Sequence, residues 1–255
     1  MMFPTLPQET LNDIVAHLRG EERALQSLSL VDRRLTEECR RHLFSSIHID
    51  STIKLRRWCS AISPGKDGLS RYVRFLDMKG EALCTPTFLQ AHLVHLRSFS
   101  QLEHLGIRPF RLPEFTGQEL ARYFGHFSTV RSICAQITGS PRATLHFLNL
   151  FPHLKTTIIT SPVIWGVQGD LDFPNHVCRG DLILKVCKIG GESDFLSCVT
   201  LPTTCYRKLG FGLVKVHNFA PLERFFNTCG GSLQSVQFIN LLVREFQGFS
   251  SVASY

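Results

Sequence analysis

From Leu6 to Phe44 the apolar positions fall into three short helical sets. In the first, Leu11, Ile14, Val15 and Leu18 recur at i, i+3, i+4 and i+7, one face of a 3.6-residue period. Pro7 suits the first turn of that helix, because its missing N–H would be unpaired there anyway. Arg19-Gly20 closes it, with Gly free to adopt the left-handed conformation. Leu25, Leu28 and Val31 make the second set. Leu35, Cys39 and Leu43 make the third, with Asp32 placed as its N-cap. So small a unit cannot bury this much apolar surface by itself. It either packs on the rest of the chain or presents a docking face.

Beyond Phe44 a different period takes over. An apolar residue at positions one, four and six recurs as Phe44-x-x-Ile47-x-Ile49, Val73-x-x-Leu76-x-Met78, Leu102-x-x-Leu105-x-Ile107 and Val130-x-x-Ile133-x-Ala135. It continues less cleanly as Leu154-x-x-Thr157-x-Ile159, Tyr206-x-x-Leu209-x-Phe211 and Leu233-x-x-Val236-x-Phe238. The steps between first positions are 29, 29, 28, 24, 52 and 27 residues. The step of 52 is a double one, and Leu182-Ile183-Leu184-Lys185-Val186 sits where the skipped strand belongs. Leucine-rich repeats run 20–29 residues with this Leu-x-x-Leu-x-Leu core.

Helical segments alternate with these strands. Leu55, Trp58, Cys59 and Ile62 mark one over Thr52–Ile62, and Leu89, Leu93 and Leu96 mark the next. Thr116-Gly117-Gln118-Glu119 reads as a capping box ahead of Leu120, Phe124 and Phe127. Ser140-Pro141 opens a helix carrying Leu145, Leu148 and Phe151, and Pro221 opens one carrying Leu222, Phe225, Phe226 and Cys229. The expected fold class is therefore α/β: a three-helix unit over residues 1–46, then an irregular leucine-rich-repeat-like solenoid over 47–255. Its strands would be parallel, with helices along one side. The Asn or Cys expected eight residues after each first position is replaced by Thr52, Glu81, Phe110, Thr138, Pro162, Val214 and Leu241, so no Asn ladder forms. Glycines and prolines between Ser161 and Tyr206 predict long loops. Val243–Tyr255 is too short for another capped unit, so the solenoid is expected to be incomplete at this end.

Composition adds bounds. Hydrophobic residues make up 44% of the 255, which describes a folded chain. Net charge is +7, but Lys and Arg are scattered in runs no longer than Arg33-Arg34, Arg40-Arg41 and Arg56-Arg57. That argues against a nucleic-acid face, for which Arg56, Arg57, Arg71 and Arg74 are the best candidates. The nine Cys form no Cys-x-x-Cys pair and no set at zinc spacing. There is no N-terminal charged-then-apolar leader and no bilayer-length apolar run, so an intracellular protein, cytoplasmic or nuclear, is expected.

Catalytic and cofactor motifs are weak. Gly210-Phe211-Gly212 fits a glycine-kinked repeat strand better than a phosphate-binding turn. His92 and His95 share a helix face without a third ligand in view, and Asp170 and Asp172 lack partners. A nucleophilic Cys needs a partner base, and the sequence places none for any of the nine, so core thiols are expected. The expectation is a non-catalytic protein with no cofactor and no metal.

Leu6-Pro7-x-Glu9-x-Leu11-x-x-Ile14-x-x-x-Leu18, then Leu28-x-Leu30-Val31-x-Arg33, then Leu43-Phe44, resembles an F-box. In particular it is similar to the N-terminal F-box of the large fungal, mushroom-type F-box families. Tyr72-Val73-Arg74-Phe75-Leu76, Leu102-Glu103-His104-Leu105, His126-Phe127-Ser128-Thr129-Val130-Arg131-Ser132 and Phe151-Pro152-His153-Leu154-Lys155-Thr156 look like the C-terminal region of the same families. The resemblance implies docking on the Skp-type adaptor of a cullin-RING ubiquitin ligase, with the repeats binding a target protein. Matched position by position, it implies adaptor contact by Leu6, Pro7, Glu9, Ile14, Leu18, Leu28, Leu30, Val31 and Leu35. Where those families commonly carry Trp, this chain has Leu35, which keeps an apolar contact with less area. The alternative is a non-catalytic scaffold in which Leu11, Ile14 and Leu18 cap the first strand and leave no apolar patch.

Overall fold

The computed structural model describes residues 6–61, 68–139, 141–163, 179–185, 187–189, 205–212, 214–216, 219–238 and 241–243. The three N-terminal apolar sets form α1 (Gln8–His17), α2 (Glu22–Val31) and α3 (Arg33–Leu43). Pro7 occupies the N-cap of α1 rather than its first turn. Gly20 has φ of +99°, as the turn into α2 requires. Asp32 caps α3 as expected, its carboxylate accepting from the Arg34 N–H at 2.8 Å. Leu11, Val15, Leu25, Leu35 and Cys39 make a core of their own, with Leu18, Leu28 and Leu43 packed on it. Val31, which spacing groups with Leu25 and Leu28, does not join this core.

Beyond Phe44 the apolar triplets become the rungs of one parallel sheet. Its strands are β1 (Ser46–Ile49), β2 (Phe75–Lys79), β3 (His104–Arg111), β4 (Ser132–Thr138), β5 (Thr156–Val163), β6 (Arg179–Lys185), β8 (Cys205–Phe211) and β10 (Ser235–Phe238), in that order across the sheet. Short β7 (Cys187–Ile189), β9 (Val214–Val216) and β11 (Leu241–Val243) form a second, three-stranded parallel sheet. The fourth position of every triplet falls on one rung: Ile47, Leu76, Leu105, Ile133, Thr157, Leu182, Leu209 and Val236 pair in series. Leu182 fills the gap left by the double step. The loops expected from Ser161 to Tyr206 therefore give way in part to β6 and β7. Asp170 and Asp172 lie outside the described residues.

Five helices accompany the sheet: α4 (Thr52–Ala61), α5 (Pro86–Arg97), α6 (Gly117–Phe124), α7 (Pro141–Leu148) and α8 (Ala220–Cys229), giving eight α-helices among the described residues. The capping box of α6 is complete, with the Thr116 hydroxyl accepting from the Glu119 N–H and the Glu119 carboxylate accepting from the Thr116 N–H. Phe127 falls past the end of α6 but is buried all the same. Leu55, Leu89, Leu93, Leu120 and Leu145 meet the inward triplets in one continuous core. At its centre Phe110 stands 5.5 Å from Phe124 and 4.9 Å from Phe147, ring centre to ring centre. At the far edge Val236 and Phe238 occupy the inward register but are exposed. Among the described residues no helix is long and apolar enough to cross a membrane.

These contacts set expected outcomes for stability. Leu35→Ala opens a cavity in the three-helix core and should cost about 2–5 kcal/mol of that unit's stability, read by denaturant unfolding. Gly180 has φ of +95°, and a Cβ there would run into the Lys155 carbonyl, which accepts the β5–β6 rung bond from the Asp181 N–H at 2.8 Å. Gly180→Ala should cost about 2 kcal/mol or more. Gly230→Ala, where a Cβ meets nothing within 4 Å, should be near neutral in the same measurement.

Burial pushes the His126 imidazole below its ordinary range, opposed by the Leu96 backbone and reinforced by Arg97. The unfolded chain then binds the proton more readily than the folded one. This contribution is present above the unfolded value of about 6.5 and is lost as pH falls from there through the lower folded value. Urea midpoints compared at about pH 7.5 and about pH 5.5 should fall in acid, and His126→Gln should reduce the fall.

Candidate docking surface and polar clusters

The three-helix unit leaves four large apolar side chains exposed. Leu6 is 46% exposed, Ile14 41%, Leu30 88% and Val31 78%. Arg34 ties the Leu6 end of the unit to the start of α3. Its Nη2 pairs with the Asp32 carboxylate at 2.8 Å and its Nη1 donates to the Leu6 carbonyl at 3.3 Å. Gln8 Nε2 returns a bond to the Arg34 carbonyl at 3.3 Å. The end of α2, which carries Leu30 and Val31, is held to α3 by the Thr36 hydroxyl, which donates to the Ser29 carbonyl at 2.8 Å. The Arg34 guanidinium bonded to Asp32 keeps that carboxyl below the usual carboxylate range.

The nine residues matched to adaptor contact divide into two groups. Leu6, Pro7, Glu9, Ile14, Leu30 and Val31 are exposed. Leu18 and Leu28 are half-buried, and Leu35, 6% exposed, lies in the three-helix core. Leu35 therefore holds the helices together and is not part of the outward patch. The physical reason is position: as the third residue of α3 it faces Leu11 and Val15, while Val31 ends α2 with its side chain beyond the bundle. Ile14 does not pack against β1, and Leu11 belongs to a core separate from that of the sheet.

A polar contact sets the junction between the unit and the sheet. Glu37 on α3 accepts from Arg71 Nη2 at 3.1 Å and from the Tyr72 hydroxyl, and the Arg71 guanidinium lies over the Tyr72 ring. A shallow cleft of about 420 Å³ opens there, lined by Glu37, Arg41, Arg71, Tyr72, Arg74 and Gln101. Phe44 meets Trp58 edge-on at 6.0 Å across the same boundary. Arg71 and Arg74, candidates for a nucleic-acid face, are thus tied to Glu37 and Glu103.

On the sheet face away from the helices, Asp77 is buried although charged. Its Oδ2 accepts from Arg108 Nη2 at 2.6 Å, and His48 Nδ1 stands 3.5 Å away. Gly106, paired with Asp77 across β2 and β3, leaves the space that the Oδ1 occupies. That oxygen has no hydrogen-bond partner among the described residues.

One side-chain pair was invisible in the sequence. Cys59 Sγ lies 3.9 Å from His92 Nδ1, between α4 and α5. Burial pushes the thiol up and the imidazole down. Both shifts disfavour a thiolate–imidazolium pair, so the contact is that of a neutral thiol and a neutral ring. Burial also drives the Cys84 thiol up to about 12. Among the described residues no three His, Cys, Asp or Glu side chains converge as a metal set.

No family model matches the chain, and no curated protein matches it.

Proposed function

We propose that the protein is a substrate-recognition subunit of an SCF-type cullin-RING ubiquitin ligase, its N-terminal helices acting as an F-box and its repeats as a leucine-rich-repeat-like target receptor. The observation that carries this reading is the outward patch of Leu6, Ile14, Leu30 and Val31 on a helical unit that already has its own core. Large apolar side chains left exposed after folding suit a protein partner. A cap on the first strand would bury Ile14, so the scaffold reading receives no support from this patch. In the proposed role the protein does no chemistry. It raises the local concentration of a bound target beside the ubiquitin-charged enzyme. Such a role implies an intracellular protein, in the cytoplasm or nucleus.

The test is affinity for a Skp-type adaptor, measured on the full chain. Leu30→Ala and Val31→Ala should each weaken binding by about 2 kcal/mol, or about 30-fold, if they anchor the contact. Their melting temperatures should match wild type, because neither side chain is buried. Unchanged affinity in these folded variants would overturn the assignment of the patch. Absence of binding by the folded wild type would overturn the function.

A further inference from the structure

The edge of the sheet where the strands begin carries a row of charge at one repeat position. Arg74, Glu103, Arg131 and Lys155 stand immediately before β2, β3, β4 and β5. Their backbones are joined rung to rung: the Glu103 N–H donates to the Arg74 carbonyl, Arg131 to Glu103 and Lys155 to Arg131, at 2.7–2.8 Å. Gly180 holds the next place, and Arg207 follows on β8, just before Lys208, which pairs with Asp181. With strands about 4.8 Å apart, Arg74 and Arg207 are separated by about 24 Å along this edge.

Two of the cations have internal partners, Arg74 with Glu103 at 3.4 Å and Arg207 with Asp181 at 3.9 Å. Arg131 and Lys155 are exposed on adjacent strands and form no ion pair with a described residue. Like charges on neighbouring strands repel, and neither side chain contributes to the core.

We propose that this edge binds an extended acidic segment of a protein, with Arg131 and Lys155 as its central contacts. About seven extended residues, at about 3.3 Å each, cover the row. Glu103 and Asp181 decide the class of ligand. A nucleic acid would set an unbroken run of phosphates against both carboxylates, whereas a peptide can place neutral residues opposite them. The inference rests on the proposed function only in taking the segment to be part of a target. Binding at the edge needs no adaptor, so the two readings fail separately.

The test uses the full chain and a fluorescein-labelled peptide of about ten residues with Glu at alternate positions, followed by anisotropy at low and at physiological salt. Binding should weaken as salt rises. Arg131→Gln with Lys155→Gln should reduce it about tenfold, the loss of about two exposed ion pairs. Arg23→Gln with Arg122→Gln removes the same charge from exposed positions on α2 and α6 and should leave binding intact. Circular dichroism checks the fold, and Lys155→Met, which keeps the apolar stem, should weaken binding alone if the double variant is misfolded. Equal loss in both double variants would overturn the proposal, as would failure of the folded wild type to bind the peptide. Tighter, edge-dependent binding of a single-stranded oligonucleotide of equal charge would overturn the acidic-protein assignment.

Discussion

No strand–helix unit of this chain can cover its own apolar face; only the next unit can. The rung that runs Ile47, Leu76, Leu105, Ile133, Thr157, Leu182, Leu209 and Val236 follows from that constraint. A slip of one residue at any strand would turn its triplet away from α4–α8 and strip the core of its lining. The same requirement brings Phe110 of β3, Phe124 of α6 and Phe147 of α7 together, where they bury one another. It also leaves β10 with Val236 and Phe238 exposed, because no described unit covers them.

The N-terminal helices obey a different rule. Their core is small and separate, and the contact that ties them to the sheet is largely polar, through Glu37, Arg71 and Tyr72. Exposed ion pairs of this kind contribute little stability, but a hydroxyl and a guanidinium converging on one carboxylate, with the guanidinium lying over the tyrosine ring, constrain direction. The junction thus fixes how the outward patch is aimed relative to the repeats. In the proposed ligase role, that aim is what matters. A receptor must hold its target at a set distance and angle from the adaptor, and the core of neither part supplies that geometry.

The two proposed surfaces differ in chemistry because they differ in origin. The patch of Leu6, Ile14, Leu30 and Val31 is apolar surface left over after three helices have packed. The edge row of Arg74, Arg131, Lys155 and Arg207 is a repeat position that never faces the core. The first suits a large, tight protein interface; the second suits a flexible, salt-sensitive ligand. Asp77 belongs to neither. Its carboxylate is balanced by Arg108 and lies in the space that Gly106 leaves open, which makes it part of the sheet's own structure.

The sequence by itself determined the parallel strand register, the double step filled by Leu182, the α6 capping box and the three N-terminal helices. These depend on local spacing, and spacing survives in the linear chain as periods of 3.6 residues and of about 28. Tertiary structure decided the rest. It alone separated Val31, which ends its helix outside the bundle, from Leu35, which fills the bundle, although both are apolar and four residues apart. It brought Leu6 to Arg34, Cys59 to His92 and Glu37 to Tyr72. Periodicity reports which face of an element is apolar; only packing decides what covers that face, and which charges then stand side by side.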